Sequence, residues 1–328
     1  MWGVEIMIKF MPTILEHGAR LIGVTPSQAA CDAKLMADAH IAAYTAYQPD
    51  SVTVGIDVYN IEAEALGCQV RFHSDDAIPG ILTHPFQNSI HMENIVFSME
   101  QGRAALLLEA AERVKARIGK EVPVSAGICG PFSIAVELCG FDRLLEWIYD
   151  EDERVPKLLG KLLEHQKAYC NEIRARGLGI TVFESWATPP LISPSIYRDH
   201  VMPWEKQLIT HIRENRIPAI PLVIGGDTSL IRDHIINTGT TLLLADYKVD
   251  LQDYLQAATT HQITLRGNID PKLIESGPVD KILAKVDQML MIAGGYEKFI
   301  LGTGVVSYST PSENLLAIRN YLRYHYTK

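Results

Sequence analysis

The chain has 328 residues, with 30 Lys plus Arg against 39 Asp plus Glu, a formal net charge of −9. Apolar residues make up 47% and charged residues 21%, a balance that builds a sizeable core and excludes an intrinsically disordered chain. The acidic excess argues against a nucleic-acid partner, which needs clustered Lys and Arg, and no apolar run reaches the ~18–20 residues of a membrane span. In chain order, Met1 to Leu15 is apolar but holds Glu5 and Lys9 and lacks a basic start, so it does not read as a signal peptide. A strand is expected within Glu5–Leu15. Gly23 to Tyr47 reads as a turn and a helix, with Thr25-Pro26-Ser27 as the N-terminal boundary. Short β-branched runs follow at Ser51–Asp57, Val122–Cys129, Ile180–Glu184, Ile217–Ile224, Thr240–Asp246, Gln262–Gly267 and Lys298–Gly302. Between most of them lie helical patterns, over Asn94–Ile118, Phe141–Arg176, Pro194–Asn215, Leu251–Thr260 and Val279–Ile292.

Runs apolar on both faces, alternating with amphipathic helices, predict parallel strands buried on both sides. With the N-terminal strand they make a (β/α)8 TIM barrel of the α/β class. The whole chain, 1–328, is expected to be one barrel domain, with an N-terminal helical segment and a short hairpin inserted near 68–79. The rival, an open doubly wound sheet, carries a glycine-rich turn after its first strand, and no G-x-G-x-x-G occurs here. The five cysteines (Cys31, Cys68, Cys129, Cys139, Cys170) are scattered and form no CxxC pair, so neither a disulfide framework nor a zinc ribbon is expected. Reduced thiols in a cytoplasmic protein are the simplest reading.

In a barrel, chemistry sits at the C-terminal strand ends. Those ends are polar here: Asp57, Cys129, Glu184 with Ser185 and Trp186, Gly225-Gly226-Asp227, Asp246, Asn268 with Asp270, and Thr303. Asp57, Glu184, Asp227 and Asp246 are the candidate catalytic carboxylates. If gathered in one mouth, they would split their pKa values or hold a cation. Each also has a bland reading as a helix cap. His84 and His91 lie in a long connection that can arch over the mouth. Trp186 can stack on a flat ligand or merely pack. No H-E-x-x-H or H-x-H pair appears among the eleven histidines.

Several of these strand ends carry ordered motifs. Gly267-Asn268-Ile269-Asp270-Pro271 resembles the G-N-[LIV]-D-P motif of the uroporphyrinogen decarboxylase superfamily. Phe183-Glu184-Ser185-Trp186-Ala187 resembles its F-[DE]-S-W-A strand end, and Gly130-Pro131-Phe132-Ser133 its G-[AP]-[FW]-[ST] turn. Asp57 falls where the decarboxylases carry the aspartate that faces the pyrrole nitrogens. The resemblance implies a (β/α)8 barrel; the candidate ligand contacts are Phe132, Asn268, Asp270 and Thr303 from the motif-bearing strand ends, with Trp186 and His84 from their own placement. Ile61-Glu62-Ala63-Glu64-Ala65-Leu66-Gly67 and Thr310-Pro311-Ser312-Glu313-Asn314 are more similar to the corrinoid-dependent methyltransferase branch, which includes the methylcobalamin:coenzyme M enzymes.

Two departures bear on function. The arginine-rich loop of the porphyrinogen decarboxylases is replaced by Leu15-Glu16-His17-Gly18-Ala19-Arg20, and the family tyrosine falls near Glu137. An octa-acid substrate would then meet an acidic mouth. The positions of the His-x-Cys…Cys zinc ligands of the thiol-methylating branch read Val223, Gly225 and Val305, none with a donor atom, so the thiolate zinc site is expected to be lost. The favoured reading is a methyltransferase that moves a methyl group between a small O-, N- or S-methyl compound and a corrinoid (cobalamin), free or on a corrinoid protein. The alternatives are a decarboxylase or lyase on a smaller substrate and a non-catalytic tetrapyrrole or small-ligand binder. Family members include monomers and homodimers.

Overall fold

The computed structural model describes residues 8–89, 95–214 and 221–326. The strands are β1 (Lys9–Thr13), β2 (Val52–Val54), β3 (Val70–Arg71), β4 (Gly80–Ile81), β5 (Val124–Cys129), β6 (Gly179–Phe183), β7 (Leu222–Val223), β8 (Leu242–Ala245), β9 (Thr264–Ile269) and β10 (Phe299–Val305). They form two parallel arcs, β2-β5-β6-β7 and β8-β9-β10-β1. A parallel bridge between Pro221 and Leu242 joins β7 to β8. At the other seam no ladder links β1 to β2 among the described residues. There the Asp50 amide donates to the Phe10 carbonyl at 2.9 Å, and the Asp50 carboxylate accepts the Phe10 amide at 2.7 Å. The order is that of a (β/α)8 barrel, in which each strand neighbours the next in sequence.

The expected strands are present but shorter. In the N-terminal run, Glu5–Met7 lies outside the described residues, as do 217–220 of the run expected at Ile217–Ile224 and the start of the helix expected from Asn94. That helix spans Ala104–Ile118, because Gly102, at φ +58°, and the turns before it interrupt the pattern. The helix expected over Phe141–Arg176 is two, Phe141–Tyr149 and Arg154–Ala175. Asp152 breaks it by accepting the Arg154 amide at 2.9 Å, an Asx-type turn that restarts the helix. The helix expected from Pro194 contains a π-turn at Tyr197–Val201 before Met202–Glu214. There Pro203 supplies no amide for the ladder. In the N-terminal segment, Thr25 and Gln28 form a reciprocal capping box ahead of Pro26–Ala30, and Ala33–Tyr47 is the long helix. The antiparallel hairpin pairs Val70 with Ile81 and Arg71 with Gly80.

Inside the barrel the two ends differ. Thr53, Ser125 and Thr181, from β2, β5 and β6, bond hydroxyl to hydroxyl at 3.0–3.1 Å. Towards the C-terminal ends, Leu15, Val58 and Phe183 form a small buried cluster, with Tyr59 and Val223 packed against it. The main core lies between the strands and the surrounding helices.

Candidate functional site

A cavity of about 560 Å³ opens beyond the C-terminal strand ends. The β2 end contributes Tyr59 and Asn60, the β6 end Ser185 and Trp186, and the helix Pro131–Cys139 contributes Glu137. Gly80, Ile81 and His84 come from the hairpin and the chain after it. Its lining residues are mutually braced. The Trp186 indole N–H donates to Glu137 Oε1 at 2.7 Å, and its ring stacks on Phe141 at 5.3 Å and 28°. The Ser185 hydroxyl donates to the Tyr59 phenol oxygen at 2.9 Å, and His84 Nδ1–H donates to the Glu137 carbonyl at 2.7 Å. Burial raises the Glu137 carboxyl above its ordinary range, against the lowering effect of the Trp186 bond. A second cavity, about 500 Å³, lies at the N-terminal end near Lys9, Thr264 and Lys298. It adjoins Pro221, beside residues outside the description, and it lies opposite the face on which barrel chemistry sits.

The four candidate carboxylates occupy separate environments. Asp57 is 2% exposed and fully engaged: Arg103 Nη1 and Nη2 reach its two oxygens at 2.8 and 2.7 Å, and the Asn60 amide donates at 2.9 Å. Arg103 also meets Glu64 at 2.7 Å. Glu184 lies under the N-terminus of the Pro131–Cys139 helix, where its Oε1 accepts the Ser133 amide at 2.6 Å. Burial pushes the Glu184 carboxyl up to about 7, although the Ser133 bonds pull it down. Asp246 accepts the Gly226 amide at 2.7 Å and the Asn268 side-chain amide at 3.3 Å. Asp227 is exposed and turned onto Ser229, whose hydroxyl and amide hold its carboxyl below the usual range. The four therefore do not converge on one ion. Among the described residues no group of three or more His, Cys, Asp or Glu could hold a metal.

The remaining candidates divide in the same way. Trp186 and His84 line the mouth; His91 lies outside the described residues. Phe132 is buried in the core. Asp270 caps the helix Pro271–Ser276 through the Lys272 amide at 2.9 Å. Thr303 is fully buried and stitches β10 to β1: its hydroxyl oxygen accepts the Thr13 amide at 3.1 Å. Asn268 Nδ2 serves Asp246, and its buried Oδ1 has no hydrogen-bond partner.

The family model described as uroporphyrinogen decarboxylase (URO-D) matches residues 4–325. The chain belongs to this family. It is 27% identical over 291 residues to the methylcobamide:CoM methyltransferase MtbA of Methanosarcina acetivorans, covering 88% of this chain and 84% of that protein. A uroporphyrinogen decarboxylase of Geotalea daltonii is 25% identical over 254 residues, 74% of this chain and 72% of that protein. A solved methyltransferase from Methanosarcina mazei superposes with a TM-score of 0.87 at 21% identity, over 99% of this chain and 95% of that one, and so shares the fold.

In this URO-D chain, Val223 ends β7, Gly225 lies just beyond it and Val305 ends β10. Their side chains offer no lone pair, so the residues present do not fit the thiolate zinc site that the resemblance implied. Sequence reasoning missed several functional-looking groups. Arg103 is 46 residues from the carboxylate it pairs with, and nothing local marks it. Three further buried carboxyls, Glu16, Glu62 and Glu205, each carry an oxygen without a hydrogen bond. Burial pushes Glu16 to about 7 and Glu62 to about 8. Glu205 goes well above the carboxylate range through burial and the Glu184 charge. In sequence nothing marks these three as buried: Glu16 falls in the Leu15–Arg20 stretch, Glu62 in the Ile61–Gly67 motif and Glu205 in the helix expected from Pro194.

Proposed function

We propose that this URO-D family chain is a corrinoid-linked methyltransferase, moving a methyl group between a small methyl compound and a corrinoid, free or carried on a protein. The observation that carries the reading is the character of the mouth cavity. Among the described residues its lining holds Tyr59, Phe141 and Trp186, one carboxyl, Glu137, and neither Lys nor Arg. Arg103, which could have answered a polycarboxylate, is already committed to Asp57 and Glu64. Such a lining repels an octa-acid porphyrinogen and suits a small methyl compound. The named methyltransferase relatives support the same reading.

The corrinoid is a co-substrate here and supplies the methyl-carrying cobalt. This chain's residues bind and orient. The braced Trp186–Phe141 pair fixes one wall, and Tyr59 a second. Gly80 and Ile81 of the hairpin, with His84 after it, add a further wall. Zinc activation of a thiol is not part of the proposal, since its ligand positions hold no donors.

The test is a spectral titration of the full chain. Cob(I)alamin is offered with a panel of O- and N-methyl compounds, and methylcobalamin with thiols. We expect methyl compounds to convert cob(I)alamin to methylcobalamin, and prior dialysis against a zinc chelator to leave the rate unchanged. No conversion, with either free corrinoid or a corrinoid protein, would sink the reading.

A further inference from the structure

Methyl transfer to a corrinoid does not by itself require a carboxylate set into an aromatic wall, yet the mouth has one. Glu137 is 8% exposed. Its Oε1 takes the Trp186 indole N–H, and no protein hydrogen bond reaches its Oε2 among the described residues. Trp186 lies nearly face to face with Phe141, and Tyr59 adds a third ring to the lining. Among the described residues no Lys or Arg lines the cavity, and His84 spends its Nδ1–H on the Glu137 backbone carbonyl rather than on the carboxylate. Among the described residues the charge of Glu137 thus has no Lys or Arg ion pair, only the through-space influence of His84, in surroundings whose desolvation disfavours it. An acid in that position is satisfied by a cation that arrives with the ligand.

We propose that the mouth cavity binds a small N-methylated ammonium cation as the methyl donor, with Glu137 as its counter-ion and Trp186, Phe141 and Tyr59 as its aromatic wall. This deepens the methyltransferase reading and rests on it for the donor role. A quaternary ammonium spreads its charge over methyl groups and asks for no hydrogen-bond acceptor. It is attracted to aromatic faces, and more strongly when desolvated. A carboxylate-bearing or phosphorylated donor would face Glu137 with like charge. The chemistry is consistent with the site: the N–CH3 bond breaks with its electron pair left on nitrogen, the methyl group passes to the reduced corrinoid, and a neutral tertiary amine departs without a proton. A strong general acid is then unnecessary.

The experiment is calorimetric titration of the full chain, without corrinoid, using tetramethylammonium, choline and the neutral choline isostere 3,3-dimethyl-1-butanol. We expect saturable binding of both cations and about tenfold or weaker binding of the isostere, the difference expected when a desolvated cation–π and carboxylate contact is lost. E137Q should weaken choline by a similar factor. F141L removes one ring while keeping the carboxylate, and it should weaken choline too. Thermal melts of both variants separate lost binding from lost folding. Equal binding of the isostere, or no binding of either cation, overturns the proposal. Because no corrinoid is present, the two readings fail separately. Cation binding without corrinoid conversion keeps the cation site and removes the transferase reading. Conversion driven by O-methyl compounds with no cation binding does the reverse.

Discussion

With a guanidinium nitrogen on each oxygen of Asp57 and an amide from Asn60 beside them, that carboxylate has little left to offer a substrate. Both partners of the Asp57–Arg103 pair are buried, and removing one leaves the other uncompensated. D57N should therefore cost about 3–5 kcal/mol in urea unfolding, as broken buried pairs do. Adding R103M should recover part of that loss, because the two changes share one contact. A D57N protein that unfolds like the wild type while losing turnover would return Asp57 to the chemistry. Asp57 was visible in the sequence as a polar strand end, but its partner was not. A bond across 46 residues is set by how the chain folds back, and no local pattern encodes it. Asp270 shows the opposite case: singled out as a ligand contact, it is the N-cap of the helix Pro271–Ser276, and a carboxylate before a proline is a local signal for that role.

One turn of backbone joins β5 to the helix Pro131–Cys139, and Gly130 makes that turn against Glu184. A Cβ on Gly130 would run into the Glu184 carboxyl, so the close approach requires glycine. The same carboxyl accepts the Ser133 amide and anchors the helix that carries Glu137 into the mouth. G130A should destabilise the fold by about 1–3 kcal/mol, the usual cost of overpacking. It should also weaken ligand binding at the mouth, since Glu137 moves with its helix. A variant with wild-type melting and binding would show that Glu184 does not set the position of this helix. Strands were legible at this scale because runs apolar on both faces have few other uses. Helix breaks were not, because the Asp152 turn and the π-turn at Tyr197–Val201 interrupt sequences that remain helical in periodicity.

The molecule as a whole buries an unusual number of carboxyls, and its stability should depend on pH accordingly. Glu16 and Glu184 are raised from 4.5 to about 7 and Glu62 to about 8, chiefly by desolvation. A folded-state value above the unfolded one gives stability that is complete below about pH 4.5 and is lost as pH rises through 7–8. Buried His40, lowered from 6.5 to about 4, acts in the opposite direction, but its contribution is complete by about pH 6.5. Between about pH 6.5 and 8 the urea midpoint should fall, as the unfolding free energy drops by about 1.4 kcal/mol per pH unit for each carboxyl still protonated only in the native state. E62Q should flatten that slope; a midpoint that does not move would contradict the burial of these groups as charged-state penalties. The barrel order itself was legible from alternation alone. The mouth cavity was not, because the hairpin, the β2 end and the helix after β5 meet only in three dimensions.

The open seam between β1 and β2 has a consequence for how the chain is made. β1 is made before the other described strands and its ladder partner, β10, after all of them; the bond from Thr13 to Thr303 spans 290 residues. On its other side, among the described residues, β1 has the two bonds around Asp50. At about 5–20 residues per second, translation keeps this strand without its ladder for roughly 15–60 seconds. Throughout that interval Phe10 and the free amides of β1 form an unsatisfied edge, the kind of surface that invites pairing with another nascent chain. The last strand to emerge thus completes the sheet and also ends the period in which the growing chain is most open to aggregation and to chaperone capture.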